Sequence, residues 1–210
     1  GERSFLSIIE NKSLENIPNL VYRKGKNIIE NPVKVENLSL GLDLNYELLE
    51  LEKYFENHRI NFPDAPERTA VFFTHMGCTW REKTGGCSFC SIFHKHQRLE
   101  PKELWRKIQR LKDKYGVQGI KDYGDDFISD KEWIKEIVKT RPKNLKDFII
   151  SGVYASPRYV DEEIVKLLKE LNLIYAYLGF ESGNDGILKK ANKGETVRKN
   201  YEIAKILDKK

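Results

Sequence analysis

Ala70-Val71-Phe72-Phe73-Thr74, followed shortly by Gly77-Cys78-Thr79-Trp80-Arg81-Glu82-Lys83-Thr84-Gly85-Gly86-Cys87-Ser88-Phe89-Cys90, decides how this chain is read. A short apolar run ends in a polar loop, and that loop holds all three cysteines of the 210 residues. An odd number of clustered cysteines is not a disulfide framework. It fits a reducing cytoplasm and a metal or iron–sulfur site. Three thiolates leave one coordination position open, where a ligand can react.

Outward from this loop the chain alternates strand and helix. Pro101 opens an amphipathic stretch with Leu104, Trp105, Ile108 and Leu111 at helical spacing. A second strand is expected over Val117–Ile120 and a third at Phe148-Ile149-Ile150. Between them Asp130 caps a helix whose apolar side is Trp133, Ile134, Ile137 and Val138. Asp161 caps another, carrying Ile164, Leu167, Leu168 and Leu171. Leu173 to Leu178 reads as a fourth strand, and Thr196 to Leu207 as the last helix.

Such alternation predicts an α/β fold with a parallel sheet covered by helices. No Gly-x-Gly-x-x-Gly follows the first strand, which argues against dinucleotide binding. A doubly wound sheet and a barrel are the two closures open to it, and the expected architecture is a partial TIM-like (βα) barrel of about four units with a small α+β N-terminal segment. In barrels the functional residues sit on the loops after the strands. Here the candidate loops are Cys78–Cys90, Asp122–Asp126, Ser151-Gly152 and Glu181-Ser182-Gly183, converging on one composite site.

The first 66 residues differ in pattern. Phe5, Leu6, Ile8 and Ile9 suggest a short helix, and Asn19–Glu30 a hairpin turning at Lys24-Gly25-Lys26. Asn45 to Asn57 reads as a further helix, and Pro63, Asp64 and Pro66 as a linker. The expected division is therefore an N-terminal segment, 1–66, and a core, 67–210. No apolar run approaches the ~20 residues a membrane span needs, and no signal peptide is visible. Net charge is +5, with the signs interspersed as in Lys102-Glu103 and Lys131-Glu132. That pattern reads as solvated helix faces rather than the basic stripe of a nucleic-acid binder.

Two readings of the cysteine loop remain open on spacing. Cys78-x8-Cys87-x2-Cys90-x3-His94 supplies three sulfurs and an imidazole, enough for a closed zinc site in a non-catalytic α/β binding module. His75 and His96 are further candidates. The other reading is an iron–sulfur cluster. The loop follows a core strand, its Gly85-Gly86 pair admits close backbone approach, and amides there could bond cluster sulfides. Phe89 lies between the last two cysteines, beside whatever binds the open iron.

At these residues the chain resembles the radical S-adenosylmethionine (radical SAM) enzymes, over roughly 70–208. That family usually holds a [4Fe–4S] cluster in a Cys-x3-Cys-x2-Cys loop after the first barrel strand. Cys87-Ser88-Phe89-Cys90 matches the second half of the motif; eight residues, not three, separate Cys78 from Cys87. Asp122-Tyr123-Gly124-Asp125-Asp126 stands where the family contacts the methionine amino group, and these residues equally suit a turn before a helix. Leu178-Gly179-Phe180-Glu181-Ser182-Gly183, followed by Asn192-Lys193-Gly194, is similar to the family's fourth-strand motif. Arg158 is placed to clamp the methionine carboxylate.

The resemblance thus implies Cys78, Cys87 and Cys90 as cluster ligands. It implies Phe89, Gly124, Asp125, Asp126, Ser151, Arg158, Glu181 and Ser182 as contacts to S-adenosylmethionine. The implied activity is reductive cleavage of S-adenosylmethionine to a 5′-deoxyadenosyl radical for hydrogen abstraction. An external reductant such as ferredoxin or flavodoxin would supply the electron, in the cytoplasm. Gly1-Glu2, Ile17–Arg23 and Asn31-Pro32 look like the tail of a cobalamin-binding domain, which implies cobalamin in the full-length protein. The family barrel has six βα units and four are read here, so a fragment cut at both ends is expected. A nucleic-acid substrate finds no basic patch to support it, and the substrate itself is not legible.

Overall fold

The computed structural model describes residues 2–34, 45–92 and 95–208. It divides into two compact units, Gly1–Leu44 and Asn45–Lys210. In the first, helix α1 (Glu2–Ile9) precedes an antiparallel hairpin of β1 (Val21–Lys24) and β2 (Asn27–Glu30). Lys24 pairs with Asn27, so Gly25-Lys26 forms the two-residue turn expected from sequence. Gly1 lies outside the described residues.

The second unit is built on four parallel strands: β3 (Thr69–Phe72), β6 (Gly119–Asp122), β7 (Ile149–Ala155) and β8 (Leu173–Leu178), in the order β3-β6-β7-β8. Between β3 and β6, the short strands β4 (His75–Met76) and β5 (Gln97–Arg98) pair antiparallel and brace the two ends of the cysteine segment. Consecutive neighbours joined by helical crossovers are what the strand–helix alternation predicts, and the sheet is part of a TIM-like barrel.

The helices are α2 (Leu51–Asn61), α3 (Thr79–Thr84), α4 (Pro101–Tyr115), α5 (Lys131–Thr140), α6 (Glu162–Glu170), α7 (Asp185–Lys190) and α8 (Val197–Asp208). Pro101 is the first residue of α4, where its missing N–H costs nothing. The Asp130 carboxylate accepts the Trp133 N–H at 2.9 Å, and Asp161 accepts that of Ile164 at 2.8 Å, so both expected caps are made. The core lies between sheet and helices. Ile108, Ile134, Ile137, Ile164 and Ile120 are wholly buried there. Two buried indoles tie it to the backbone: Trp105 donates to the Ile137 carbonyl at 2.9 Å and Trp133 to that of Leu99 at 2.8 Å.

Three sequence expectations shift. The helix expected over Asn45–Asn57 is a 3₁₀ turn at Tyr46–Leu48 followed by α2, whose Phe55 is buried. The segment belongs to the second unit. The third strand runs on to Ala155, so Ser151-Gly152 lies inside the sheet rather than in a loop after it. Pairing with β8 carries it on, Val153, Tyr154 and Ala155 lying opposite Ala176, Tyr177 and Leu178, while pairing with β6 shifts register between Ile120 and Lys121 and stops at Gly152. The second strand begins two residues later than expected, at Gly119, and ends on Asp122. That carries the carboxylate into the sheet end rather than the following loop. Among the described residues, no helix is long and apolar enough to cross a membrane.

Burial separates core from surface sharply enough to test. Ile134→Ala should cost about 2–5 kcal/mol by urea unfolding, the cost of an unfilled core cavity. Lys139→Ala, which removes only an exposed pair with Glu136, should cost less than about 0.5 kcal/mol.

Candidate functional site

The C-terminal ends of β3, β6 and β7 are locked together by one buried hydrogen-bond chain. The backbone N–H of Asp126 donates to His75 Nε2 at 2.7 Å. Nε2 is therefore the unprotonated ring nitrogen, and Nδ1 carries the hydrogen. Nδ1 lies 2.7 Å from the Thr74 hydroxyl, to which it donates. The hydroxyl in turn donates to Asp122 Oδ2 at 2.8 Å, and Oδ1 accepts the Thr74 N–H at 2.8 Å. The 3.4 Å approach of His75 to Asp122 has the geometry of an ion pair without being one. Burial holds the imidazole neutral, its pKa pushed down to about 3, and pushes Asp122 up to about 7. Gly124 is required by the same packing, because a Cβ there would sit 2.2 Å from the His75 ring. His75, a metal candidate by sequence, is instead a fully committed strut.

That chain positions two carboxylates. Asp125 Oδ2 accepts the N–H of Gly77, the residue before Cys78, at 2.7 Å. Asp126 Oδ1 accepts the N–H of Ser156, just beyond β7, at 3.0 Å. Asp126 is buried, and burial pushes its pKa up to about 6 against the opposing pull of the Ser156 N–H, Arg158 and Lys193. Arg158 stacks on the Trp80 ring at 4.3 Å, donates to the Lys193 carbonyl and stands 3.5 Å from Glu195. Glu195 Oε1 takes the Ser156 hydroxyl at 3.0 Å. Buried Arg158 Nε and Glu195 Oε2 have no partner among the described residues, so this corner holds unspent polar capacity.

Glu181 follows β8 in the left-handed region, φ +59°, and its Oε1 lies 3.2 Å from Lys193 Nζ. Lys193 also lies 6.0 Å from the Phe89 ring, which is 59% exposed. Ser182 uses its hydroxyl to accept the Asn184 N–H at 3.1 Å, a local turn bond. Ser151 stands apart. It is buried within β7, 3.5 Å from His58 Nε2. The structure thus brings together Asp125, Asp126, Arg158, Glu181 and Phe89, and leaves Ser151 outside.

Cys78, Cys87 and Cys90 are free and half-buried on the loop that contains α3. The Cys90 N–H donates to the Cys87 carbonyl at 3.1 Å, the Arg81 guanidinium holds the Cys90 carbonyl, and the Ile92 N–H points at Cys90 Sγ at 3.5 Å. Burial pushes the Cys78 thiol pKa up. Among the described residues, no three His, Cys, Asp or Glu side chains already stand at metal-holding distance. The donor set nevertheless fits a [4Fe–4S] cluster in type and number. Three sulfurs lie on one loop, with a backbone N–H aimed at one of them and one iron left for another ligand. Ligation would expel the protons of the thiols and draw them together. His94, the fourth ligand of the zinc reading, lies outside the described residues.

Sequence reasoning missed Glu195, and it took His75 for a metal candidate and Lys193 only for part of a motif; all three act through residues far apart in the chain. It also missed Lys121, whose buried ammonium faces the Phe62 ring at 3.8 Å and the Tyr177 ring at 4.8 Å. Burial pulls its pKa down. Only the spacing of Asn192-Lys193-Gly194 after the fourth strand gave any signal.

Asp126 supplies a pH test. Its folded-state pKa of about 6 exceeds the ordinary 3.8, so the folded state holds the proton more tightly than the unfolded chain. Its contribution to stability is present below pH 4 and lost as pH rises through 6. Asp126→Asn keeps an acceptor for Ser156 and removes the charge. Without metal it should gain about 1–3 kcal/mol over the parent at pH 7.5 and nothing at pH 4. Equal stabilities at both pH values would contradict the assignment.

The sequence model described as the Radical SAM superfamily matches residues 74–210. A Methanocaldococcus jannaschii protein named "Putative methylthiotransferase" is 26% identical over 205 residues, covering 89% of this chain and 40% of its own length. The cytidylyl-2-hydroxyethylphosphonate methyltransferase of Streptomyces wedmorensis is 25% identical over 149 residues, covering 66% of this chain and 26% of itself. The chain therefore spans less than half the length of these relatives. Among solved structures, the radical S-adenosylmethionine methyltransferase TsrM from Kitasatospora setae aligns with a TM-score of 0.71 at 16% identity, covering 97% of this chain and 41% of that one. The cobalamin-dependent S-adenosylmethionine radical enzyme OxsB aligns at 0.66 and 17%, covering 98% and 30%. No observation favours the zinc-stabilised module. With the family match starting at the strand end that carries His75 and running through the cysteine loop, Asp126 and Glu181, the chain belongs to the radical SAM superfamily, whose enzymes use a [4Fe–4S] cluster and S-adenosylmethionine.

Proposed function

We propose that this chain is the cofactor-binding core of a radical SAM enzyme of the cobalamin-associated subgroup. The observation that carries the reading is the convergence of the cysteine loop, Asp126, Arg158 and Glu181 at one end of the parallel sheet, through Trp80 and Lys193. Cys78, Cys87 and Cys90 would hold the cluster. When bound, the cluster would supply the electron that cleaves the sulfonium of S-adenosylmethionine into methionine and a 5′-deoxyadenosyl radical.

The chain's own part is binding and orientation. The free oxygens of Asp125 and Asp126 and the backbone at Gly124 are acceptors for an ammonium. Arg158 offers its unpartnered Nε–H to a carboxylate. Glu181, half-exposed and oriented by Lys193, accepts hydroxyl hydrogens, with Ser182 beside it. Phe89 covers the open position.

The 1–66 segment reads as the tail of a cobalamin-binding domain with its linker, ahead of a core over 67–210. Support comes from the cobalamin-dependent OxsB and the cobalamin-bound TsrM, whose alignments extend over 98% and 100% of the chain. The electron would come from an external ferredoxin or flavodoxin in a reducing cytoplasm. The names of the curated relatives point to transfer of a methyl or methylthio group, with the substrate chosen by parts of the protein beyond this chain.

The test is anaerobic reconstitution with iron and sulfide, followed by EPR of the dithionite-reduced protein. A reduced-cluster signal that changes on addition of S-adenosylmethionine is the expected result. A silent protein retaining one zinc per chain would refute the reading.

A further inference from the structure

The turn Ala191–Glu195 touches both halves of the candidate site. On one side it grips the cysteine loop. The Trp80 indole N–H donates to the Asn192 carbonyl at 2.8 Å. The Asn192 side-chain amide donates to the Gly86 carbonyl at 2.8 Å and lies 3.3 Å from the Thr84 carbonyl. The Ser88 N–H donates to the Ala191 carbonyl at 3.0 Å. These bonds fall on the stretch between Cys78 and Cys90.

Packing makes the same contact exclusive. Gly194 has φ +69°, and a Cβ there would lie 2.4 Å from the Trp80 ring. Asn192 is itself left-handed at φ +51°, a conformation asparagine tolerates better than most residues. The turn closes against the indole only because position 194 carries no side chain.

On its other side the turn grips the residues proposed to hold S-adenosylmethionine. The buried Lys193 places Nζ 3.2 Å from Glu181 Oε1, and its carbonyl accepts from the Arg158 guanidinium. Arg158 in turn stacks on Trp80, the same ring that holds Asn192. Glu195 takes the Ser156 hydroxyl, and the Ser156 N–H binds Asp126. Glu181, Arg158 and Asp126 are therefore each one or two contacts from this turn.

We infer that Asn192-Lys193-Gly194 is a register clamp, which fixes the cysteine loop relative to Glu181 and Arg158 so that the open iron and the S-adenosylmethionine anchors meet in one geometry. This rests on the function proposed above. The three residues are positioning residues: Asn192 and Gly194 act through the cysteine loop, and Lys193 acts through Glu181. Pre-set geometry of this kind lowers the ordering cost of binding.

The test uses the full-length protein and separates the two arms. Asn192→Ala removes the side-chain bonds to the Gly86 and Thr84 carbonyls while the backbone bonds to Trp80 and Ser88 stay, and Lys193→Met keeps the buried stem but releases Glu181. Iron per chain after gel filtration, the S-adenosylmethionine titration of the reduced EPR signal, and the melting temperature of the metal-free protein are measured for each. Asn192→Ala should retain at most about a third of the parent's iron, as expected when a supporting shell is lost. Lys193→Met should retain full iron and an unchanged melting temperature. Its half-saturating S-adenosylmethionine concentration should rise about tenfold, the scale of one lost charge-assisted bond.

Parent-like iron and titration in both variants would overturn the clamp. If Asn192→Ala fails to fold, Lys193→Met decides alone, and a parent-like titration there overturns the inference. A parent protein that takes up no cluster refutes the functional reading itself, before any variant is compared.

Discussion

The buried run from Asp122 through Thr74 and His75 to the Asp126 backbone is the constraint on which the rest of the site depends. It joins the end of the first sheet strand to the loop after the second. Asp125 then fixes the start of the cysteine loop through Gly77, and Asp126 fixes the end of the third strand through Ser156. Three strand ends that differ widely in sequence position acquire one geometry. In a low-dielectric interior such a chain is strong when every member is satisfied and costly when one is lost. Here each hydrogen finds one acceptor, provided that His75 is neutral, and burial ensures that it is.

The cofactor corner follows the opposite logic. Asp126 is ionised only at the expense of folding free energy, while Arg158 Nε and Glu195 Oε2 are buried with no partner among the described residues. A structure selected for stability alone would fill or expose such groups. In the proposed function, a zwitterionic ligand with an ammonium and a carboxylate would supply counterparts for Glu195 Oε2 and Arg158 Nε. The sheet and its helices, packed through Ile108, Ile134 and Ile164, carry the stability that offsets this cost.

Much of the architecture was legible because period and caps are local signals. The apolar spacing of Leu104, Ile108 and Leu111, and the caps at Asp130 and Asp161, identify their helices without reference to the rest of the chain. Cys87-Ser88-Phe89-Cys90 narrows the chemistry to a metal or iron–sulfur site by residue type, and the family resemblance chooses between the two. Ser151 misled for a physical reason: a polar Ser-Gly pair after an apolar run resembles a strand end. Pairing with β8 carries the strand on to Ala155. The pairs β4–β5 and the helix α3 inside the cysteine loop were too short for any periodic signal. His75, Lys193 and Glu195 act across separations of 12 to 51 residues, distances at which sequence pattern carries no information about contact.

The central claim is that three cysteines leave one iron for an outside ligand. Mössbauer spectroscopy of protein reconstituted with ⁵⁷Fe, recorded with and without S-adenosylmethionine, addresses that directly. The account predicts that a single iron site of the cluster changes its isomer shift when S-adenosylmethionine is added, while the others keep theirs. A spectrum in which all iron sites are alike, and stay alike with the cofactor present, would contradict it.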